Sequence, residues 1–168
     1  MEEIIDMVIK GTTNLGIICV NEYELAYYKR FLQLNNLEYI IKEPERLKVI
    51  VGNKNPLAKQ EFIDNTKLQK QTIVVNNANN YHSYYSEKYN LVLGHNIVRL
   101  PGGLNQLIIL NKIANSYLLS LPFSEETLKK FNCKSIDYKF NGNEWRVIFI
   151  YKNTTTLTEK ELKLIEKF

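Results

Sequence analysis

Apolar residues recur along the chain at two spacings, helical and strand-like, and the changes between them mark its elements. Ile4, Ile5, Val8 and Ile9 share one face of a helix over 2–10, with Glu2, Glu3, Asp6 and Lys10 elsewhere and Gly11 placed to end it. Residues 14–20 form a short apolar run suited to a strand buried on both faces. Leu25, Tyr28, Phe31 and Leu32 restore helical spacing over 22–34, and Asn35 and Asn36 close that helix. Strands follow over 37–42 and 47–51; the four-residue link Glu43-Pro44-Glu45-Arg46 is too short for a parallel crossover and implies a hairpin or one bent, continuous edge. Gly52-Asn53-Lys54-Asn55-Pro56 must then be a turn, because proline cannot continue a strand ladder.

Beyond that turn the pattern predicts a helical turn over 63–68, a strand over 72–75, a polar stretch over 76–80 and a helix over 81–89. A strand over 96–100 leads through Pro101-Gly102-Gly103 into a helix over 104–114 that is apolar almost all round and is therefore expected to be buried. The next strand covers 116–121, and Ser124 caps a helix that carries Glu125 and Glu126 in its first turn, where the helix dipole favours them. The last strands, over 134–140 and 145–151, flank the turn sequence Asn141-Gly142-Asn143. Thr158 and Glu161 make a capping box for a final helix whose expected inner face is Leu162, Ile165 and Phe168. Strand, helix, strand alternation through the middle of the chain predicts right-handed crossovers and a mainly parallel sheet.

Composition narrows the functions open to such a fold. A chain of 168 residues with 45% hydrophobic and 24% charged residues suits one globular domain or two small lobes. The net charge of +4, from 22 basic and 18 acidic residues, is scattered without a basic stripe, so direct DNA binding by this segment is not expected. No apolar run approaches the roughly 20 residues of a membrane span, and the acidic start lacks the basic region of a secretory signal; a cytoplasmic location is the expectation. Cys19 and Cys133 are too few and too far apart for a disulfide framework. His82 and His95 have no carboxylate or cysteine at ligand spacing, so no metal, cofactor or catalytic residue is assigned.

Four stretches resemble one family. A helix and glycine followed by Asn14-Leu15-Gly16-Ile17, the turn Asn55-Pro56-Leu57-Ala58 after a buried strand, and Ser116-Tyr117-Leu118-Leu119-Ser120-Leu121-Pro122 stand in the order found in the effector-binding domains of LysR-type transcriptional regulators. Asn115 and Tyr117 occupy places where that family has glycine, and Leu157-Thr158 before a terminal helix matches the way such domains end. The resemblance implies an α/β, two-lobed, periplasmic-binding-protein-like fold with mainly parallel sheets flanked by helices. It places lobe one at 1–50 plus 145–168 and lobe two at 51–144, with crossover strands over 47–51 and 145–151. It further implies a homodimer, and contact with DNA only through a winged helix-turn-helix that precedes the matching region in the family and has no counterpart in this sequence. Without the first elements of lobe one, a sheet edge there would be left open.

Ligands of open α/β sheets sit beyond the carboxyl ends of the strands. That rule selects Asn76, Asn77 and Asn79 after one strand, and Gly102, Gly103 and Leu104 after the next. Both groups open predicted helices, whose free N–H groups favour an anion such as a carboxylate. A solvated turn in a chain with 20 asparagines, and a plain turn before a helix, are the structural alternatives. The functional expectation is a non-enzymatic small-molecule effector-sensing domain with its ligand between the lobes. A free-standing solute-binding or protein-interaction module of the same fold is the alternative, and an enzyme on the same scaffold is a third reading.

Overall fold

The computed structural model describes residues 1–76, 96–101, 103–140 and 144–167. The elements expected at 81–89 and 141–143, together with Asn77, Asn79, His82, His95, Gly102 and Phe168, lie outside them. The chain divides into two compact units, residues 1–45 with 144–168 and residues 46–143. The first division falls ahead of the strand predicted over 47–51 rather than within it, because that strand pairs on both sides with strands of the second unit.

Unit 1 is a small sheet with two helices packed on one face. Its elements are α1 (Glu2–Ile9), β1 (Leu15–Asn21), α2 (Leu25–Leu34), β2 (Leu37–Ile41), the two-residue β3 (Glu45–Arg46), which pairs with β10, then β10 (Glu144–Lys152) itself and the last helix, α6 (Glu159–Lys167). β10 lies between β1 and β2 and runs antiparallel to both, with Ile18 opposite Ile148 and Ile150 opposite Tyr39. These pairings correct the expectation of a parallel sheet here. An apolar run such as Leu-Gly-Ile-Ile-Cys-Val specifies burial, not direction; direction is set by β10, which returns from unit 2 and inserts between two strands that run the same way.

The buried face of the unit 1 sheet carries Ile18, Val20, Ile148 and Ile150 against Ile5 and Val8 of α1 and Leu25, Tyr28 and Leu32 of α2. Ile17, on the opposite face, stays 36% exposed, so β1 is not buried on both faces as its composition suggested. The capping box forms as predicted: Thr158 N–H and Oγ1 donate to Glu161 Oε2 at 2.7 and 2.8 Å, and Glu161 N–H donates to Thr158 Oγ1 at 3.3 Å. Of the inner face expected for α6, Ile165 is buried and Leu162 is exposed. The Lys42 ammonium donates to the Ile165 carbonyl at 2.7 Å, a basic group meeting the acceptor end of that helix.

Unit 2 holds a six-stranded mixed sheet in the order β5-β9-β4-β8-β6-β7. The strands are β4 (Lys48–Gly52), β5 (Phe62–Ile63), β6 (Thr72–Asn76), β7 (Asn96–Leu100), β8 (Ser116–Ser120) and β9 (Cys133–Tyr138). β5 with β9, β6 with β7 and β6 with β8 pair in parallel, as expected, whereas β4 is antiparallel to both β8 and β9. The hairpin considered between 37–42 and 47–51 does not form, since β2 belongs to one sheet and β4 to the other.

Among the described residues this unit also has three short helices: α3 (Asn65–Leu68), α4 (Leu104–Leu110) and α5 (Glu125–Lys130). α4 stops well before Ala114 and is buried only along Gln106, Leu107 and Leu110; Leu104 and Ile108 are 51% and 47% exposed. One row of side chains packs into the core of Ile50, Val74, Leu118, Leu128 and Cys133, and the seven-residue length leaves the rest of the helix in solvent. Asn36 and Asn132, just past the ends of α2 and α5, and Asn115, in the turn before β8, take left-handed backbone, with φ of 54°, 49° and 56°. Asparagine tolerates that region better than other residues with a Cβ, which explains how Asn115 stands where the resemblance leads one to expect glycine.

The Asn55-Pro56 turn is held by a buried polar side chain. Asn55 Oδ1 accepts from Leu57 N–H at 2.9 Å, and its Nδ2 donates to the Ser116 carbonyl at 2.9 Å and to Gln71 Oε1 at 3.2 Å. One residue thus caps the following 3-10 turn, Pro56–Lys59, and ties it to the start of β8. Asn55→Ala is expected to destabilise unit 2 by about 2 to 3 kcal/mol, because the buried Ser116 carbonyl and the Leu57 N–H both lose their partner. Asn55→Asp should recover little of this, since it keeps the cap but sets a carboxylate against a carbonyl. Urea midpoints of the three proteins, with m-values compared, check the order.

Candidate functional site

The carboxyl ends of three unit 2 strands lie on one side of the sheet. β6 and β7 stay in register from Thr72 with Asn96 to Asn76 with Leu100, so Asn76 and Leu100 end side by side. β8 runs parallel to β6, which carries its last residue, Ser120, to the same side. Ser120 is registered on Lys48 at the start of β4, and Lys48 on Asp137 of β9. The Lys48 ammonium donates to the Asp137 carboxylate. The Lys48 side chain is 30% exposed and that of Asp137 is 68% exposed. A cation, a hydroxyl and a primary amide therefore line one strand edge. The cation already holds a carboxylate, one that solvent can reach.

Of the residues selected from sequence, Asn76 stands at this edge, half-buried, as the last residue of β6. Gly103 precedes α4 with φ 82° and ψ −146°, and Leu104 opens the helix. A Cβ added at Gly103 would meet nothing within 4 Å, so the requirement for glycine is conformational and not a matter of space. Asn77, Asn79 and Gly102 lie outside the described residues, so the structure does not show whether they join the group. Lys48, Ser120 and Asp137 escaped the sequence reading. Lys48 reads as the polar flank of an apolar strand, and only the two antiparallel pairings of β4 bring it between Ser120 and Asp137.

The strand ends of unit 1 carry a second ion pair. Arg146 Nε donates to Glu22 Oε2 at 2.7 Å and its Nη1 to the Lys42 carbonyl at 3.3 Å, at the point where Val20 of β1 registers on Arg146. The Glu22 carboxylate raises the Arg146 pKa further above its ordinary value, so the guanidinium stays charged. Asn21, buried beside it, accepts from Tyr23 N–H at 3.1 Å and caps the 3-10 turn Glu22–Glu24.

Neither cysteine is activated. Burial pushes the Cys19 thiol up to about 12, and burial also raises Cys133, whose Sγ donates weakly to the Phe131 and Leu107 carbonyls at 3.3 and 3.5 Å. Among the described residues no group of three or more His, Cys, Asp or Glu side chains could hold a metal ion, and no helix is long and apolar enough to cross a membrane.

The sequence matches no family description and no curated protein. The fold does match solved structures. The effector binding domain of QuiR in complex with shikimate superposes with a TM-score of 0.66 at 13% identity, over 99% of this chain and 75% of that one. The effector binding domain of a BenM variant gives 0.65 at 12% identity, over 94% and 71%. HinK, a LysR family transcriptional regulator from Pseudomonas aeruginosa, gives 0.64 at 15% identity; the alignment takes in 98% of this chain but only 55% of HinK. The architecture is thus of the periplasmic-binding-protein type, with helices flanking multi-strand sheets. Within that class it is the fold of the effector-binding domains of LysR-type regulators.

The backbone at Gly103 gives a direct check on the helix start beside the site. Gly103→Ala is expected to destabilise unit 2 by about 1 to 3 kcal/mol, the cost of holding a residue with a Cβ in a region that essentially only glycine occupies. Leu104→Ala, at an exposed position, should change stability by less than about 0.5 kcal/mol. Thermal unfolding of both variants against the parent measures the difference.

Proposed function

We propose that this chain is the small-molecule sensing domain of a LysR-type transcriptional regulator. It binds an anionic effector, of the carboxylate class, at the strand edge formed by Asn76, Ser120 and Lys48 next to Gly103 and Leu104. The observation that carries this reading is the Lys48–Asp137 pair on that edge, in a fold shared with effector-binding domains. The shikimate bound to QuiR supports the ligand class. Lys48 binds a carboxylate in the free protein, and an effector carboxylate replaces Asp137 with the same chemistry, while the Ser120 hydroxyl and the Asn76 amide supply neutral hydrogen bonds.

The role is binding and not turnover: among the described residues the groups on this edge recognise an anion and include no acid and base pair aimed at one reacting atom. The domain reports occupancy through a homodimer, and reaches DNA through a winged helix-turn-helix outside this sequence. Asn77, Asn79 and Gly102 belong to the same proposal as neighbours of the edge in sequence.

Calorimetric titration with a panel of small carboxylates, shikimate among them, tests the site. For any ligand that binds, Lys48→Gln should weaken affinity by about 10- to 100-fold, the loss of a hydrogen bond to a charged donor. Asp137→Asn should strengthen it, because the internal competitor for Lys48 is gone, and Asn76→Ala should weaken it several-fold. Stability should change by less than about 1 kcal/mol on breaking so exposed a pair. Binding that is indifferent to Lys48 and Asp137 moves the effector elsewhere; no binding by any carboxylate removes the ligand class.

A further inference from the structure

The polar residues at the strand edge of unit 2 share one face of its sheet. Side chains alternate along a strand, so residues two or four apart point the same way. Ile50, Val74, Leu118 and Cys133 pack in one core with Leu107 and Leu110 of α4. Lys48, Asn76 and Ser120 stand two residues from the first three of these, and Asp137 stands four from Cys133, so all project to the face that α4 covers. The registers set them in line. Asp137 is beside Lys48, Lys48 beside Ser120 and, with the pairing of Thr72 on Ser116 carried to the strand ends, Ser120 beside Asn76.

α4 adds a further polar group to this face. Gln106 is only 8% exposed, and no described residue makes a hydrogen bond to its amide. The other buried polar residues among those described, Asn21, Asn55 and Ser116, all have partners. The direction of α4 turns the Gln106 amide toward the row. The far end of the helix is fixed at Gly52, at the opposite end of β4 from Lys48, where an added Cβ would lie 2.5 Å from the Leu110 carbonyl. Gln106 stands one turn back from Leu110, about 6 Å nearer the row, and side chains of a helix lean further toward its amino end. A buried amide without a partner is a cost to the fold, and a ligand group that reaches it removes that cost.

We infer that Gln106 is a specificity-determining residue of the proposed effector site, and that it selects a carboxylate that also carries a hydroxyl group. The inference rests on the reading of this edge as an anion site and adds the second group that the site recognises. Among the described residues the row holds one cation, Lys48, which fits a single anionic group. Gln106 is neutral; its Oε1 accepts and its Nε2 donates, and a hydroxyl can do both in return. An analogue with hydrogen in place of the hydroxyl leaves the amide buried and unpaired, and a site built on such a group rejects that analogue strongly.

The test is calorimetric titration of the full chain with matched pairs: lactate against propionate, malate against succinate, and 3-hydroxybenzoate against benzoate. Urea unfolding without ligand accompanies it. In the parent the hydroxylated member of at least one pair should bind at least about tenfold tighter than its counterpart. Gln106→Leu should bring that ratio below about threefold, and without ligand it should unfold at the same urea concentration as the parent or a higher one, because it removes an unpaired amide. Equal binding within every pair, with affinity still lowered by Lys48→Gln, overturns the inference and leaves the anion site standing. So does a ratio that Gln106→Leu leaves unchanged, or a lower urea midpoint for that variant, which marks Gln106 as a structural hydrogen-bonding residue. No binding by any member of the pairs overturns the inference together with the reading it rests on. The comparison within pairs uses the parent protein and stands even if Gln106→Leu fails to fold.

Discussion

Unit 2 depends on one strand being hydrogen-bonded on both sides. β4 has β8 on one flank and β9 on the other, and Val49, Ile50 and Val51 have no exposed surface at all. Burying three such side chains contributes on the order of 5 to 8 kcal/mol before entropy is counted. Both ends of the strand are fixed by what that position requires. At its amino end Lys48 is set between Ser120 and Asp137. At its carboxyl end Gly52 meets α4 so closely that an added Cβ would stand 2.5 Å from the Leu110 carbonyl. A residue other than glycine there would push the helix off the sheet and disturb the core around Leu107 and Leu110.

The polar groups of the molecule divide by burial into those that hold the fold and those left for solvent or ligand. Asn55 and Ser116 are buried, and each has its partners within 3.2 Å. Removing one partner strands a group that water cannot reach, which costs more than the bond itself was worth. The pairs Lys10–Asp6, Lys129–Glu125 and Lys163–Glu159 are exposed i, i+4 contacts on helices and add a few tenths of a kcal/mol each. Lys48–Asp137 falls between these cases: its lysine is mostly covered and its aspartate is not. A pair of that kind adds little to stability, yet it keeps an ammonium oriented at a strand edge.

Unit 1 solves a different problem with fewer elements. Its sheet is closed in the middle by β10, a nine-residue strand that leaves Phe149 fully buried on one face and Ile148 and Ile150 fully buried on the other. Helices α1 and α2 cover the face that carries Ile18, Val20, Ile148 and Ile150. Among the described residues the strand order is β1-β10-β2, so β10 takes hydrogen bonds on both flanks.

Local chemistry was enough to place most elements. The 3.6-residue spacing of Ile5 and Val8, the capping box of Thr158 and Glu161, the N-cap of Ser124 and the proline turn at Asn55-Pro56 act over a few residues, so they can be read from the sequence itself. The order of short motifs was enough to suggest an effector-binding fold. Strand direction was not legible, because an apolar run is equally at home in parallel and antiparallel sheets and only the return path of β10 decides between them. Burial on the second face was not legible either: Ile17 and Ile108 are as apolar as Ile18 and Leu107, and which of them meets a neighbour depends on what packs there. For the candidate site, sequence could pick Asn76, Gly103 and Leu104 by their position after strands. Lys48, Ser120 and Asp137 lie far apart in the chain and stand at one edge only because β4 pairs with β8 and with β9 in a particular register, which is a property of the tertiary structure.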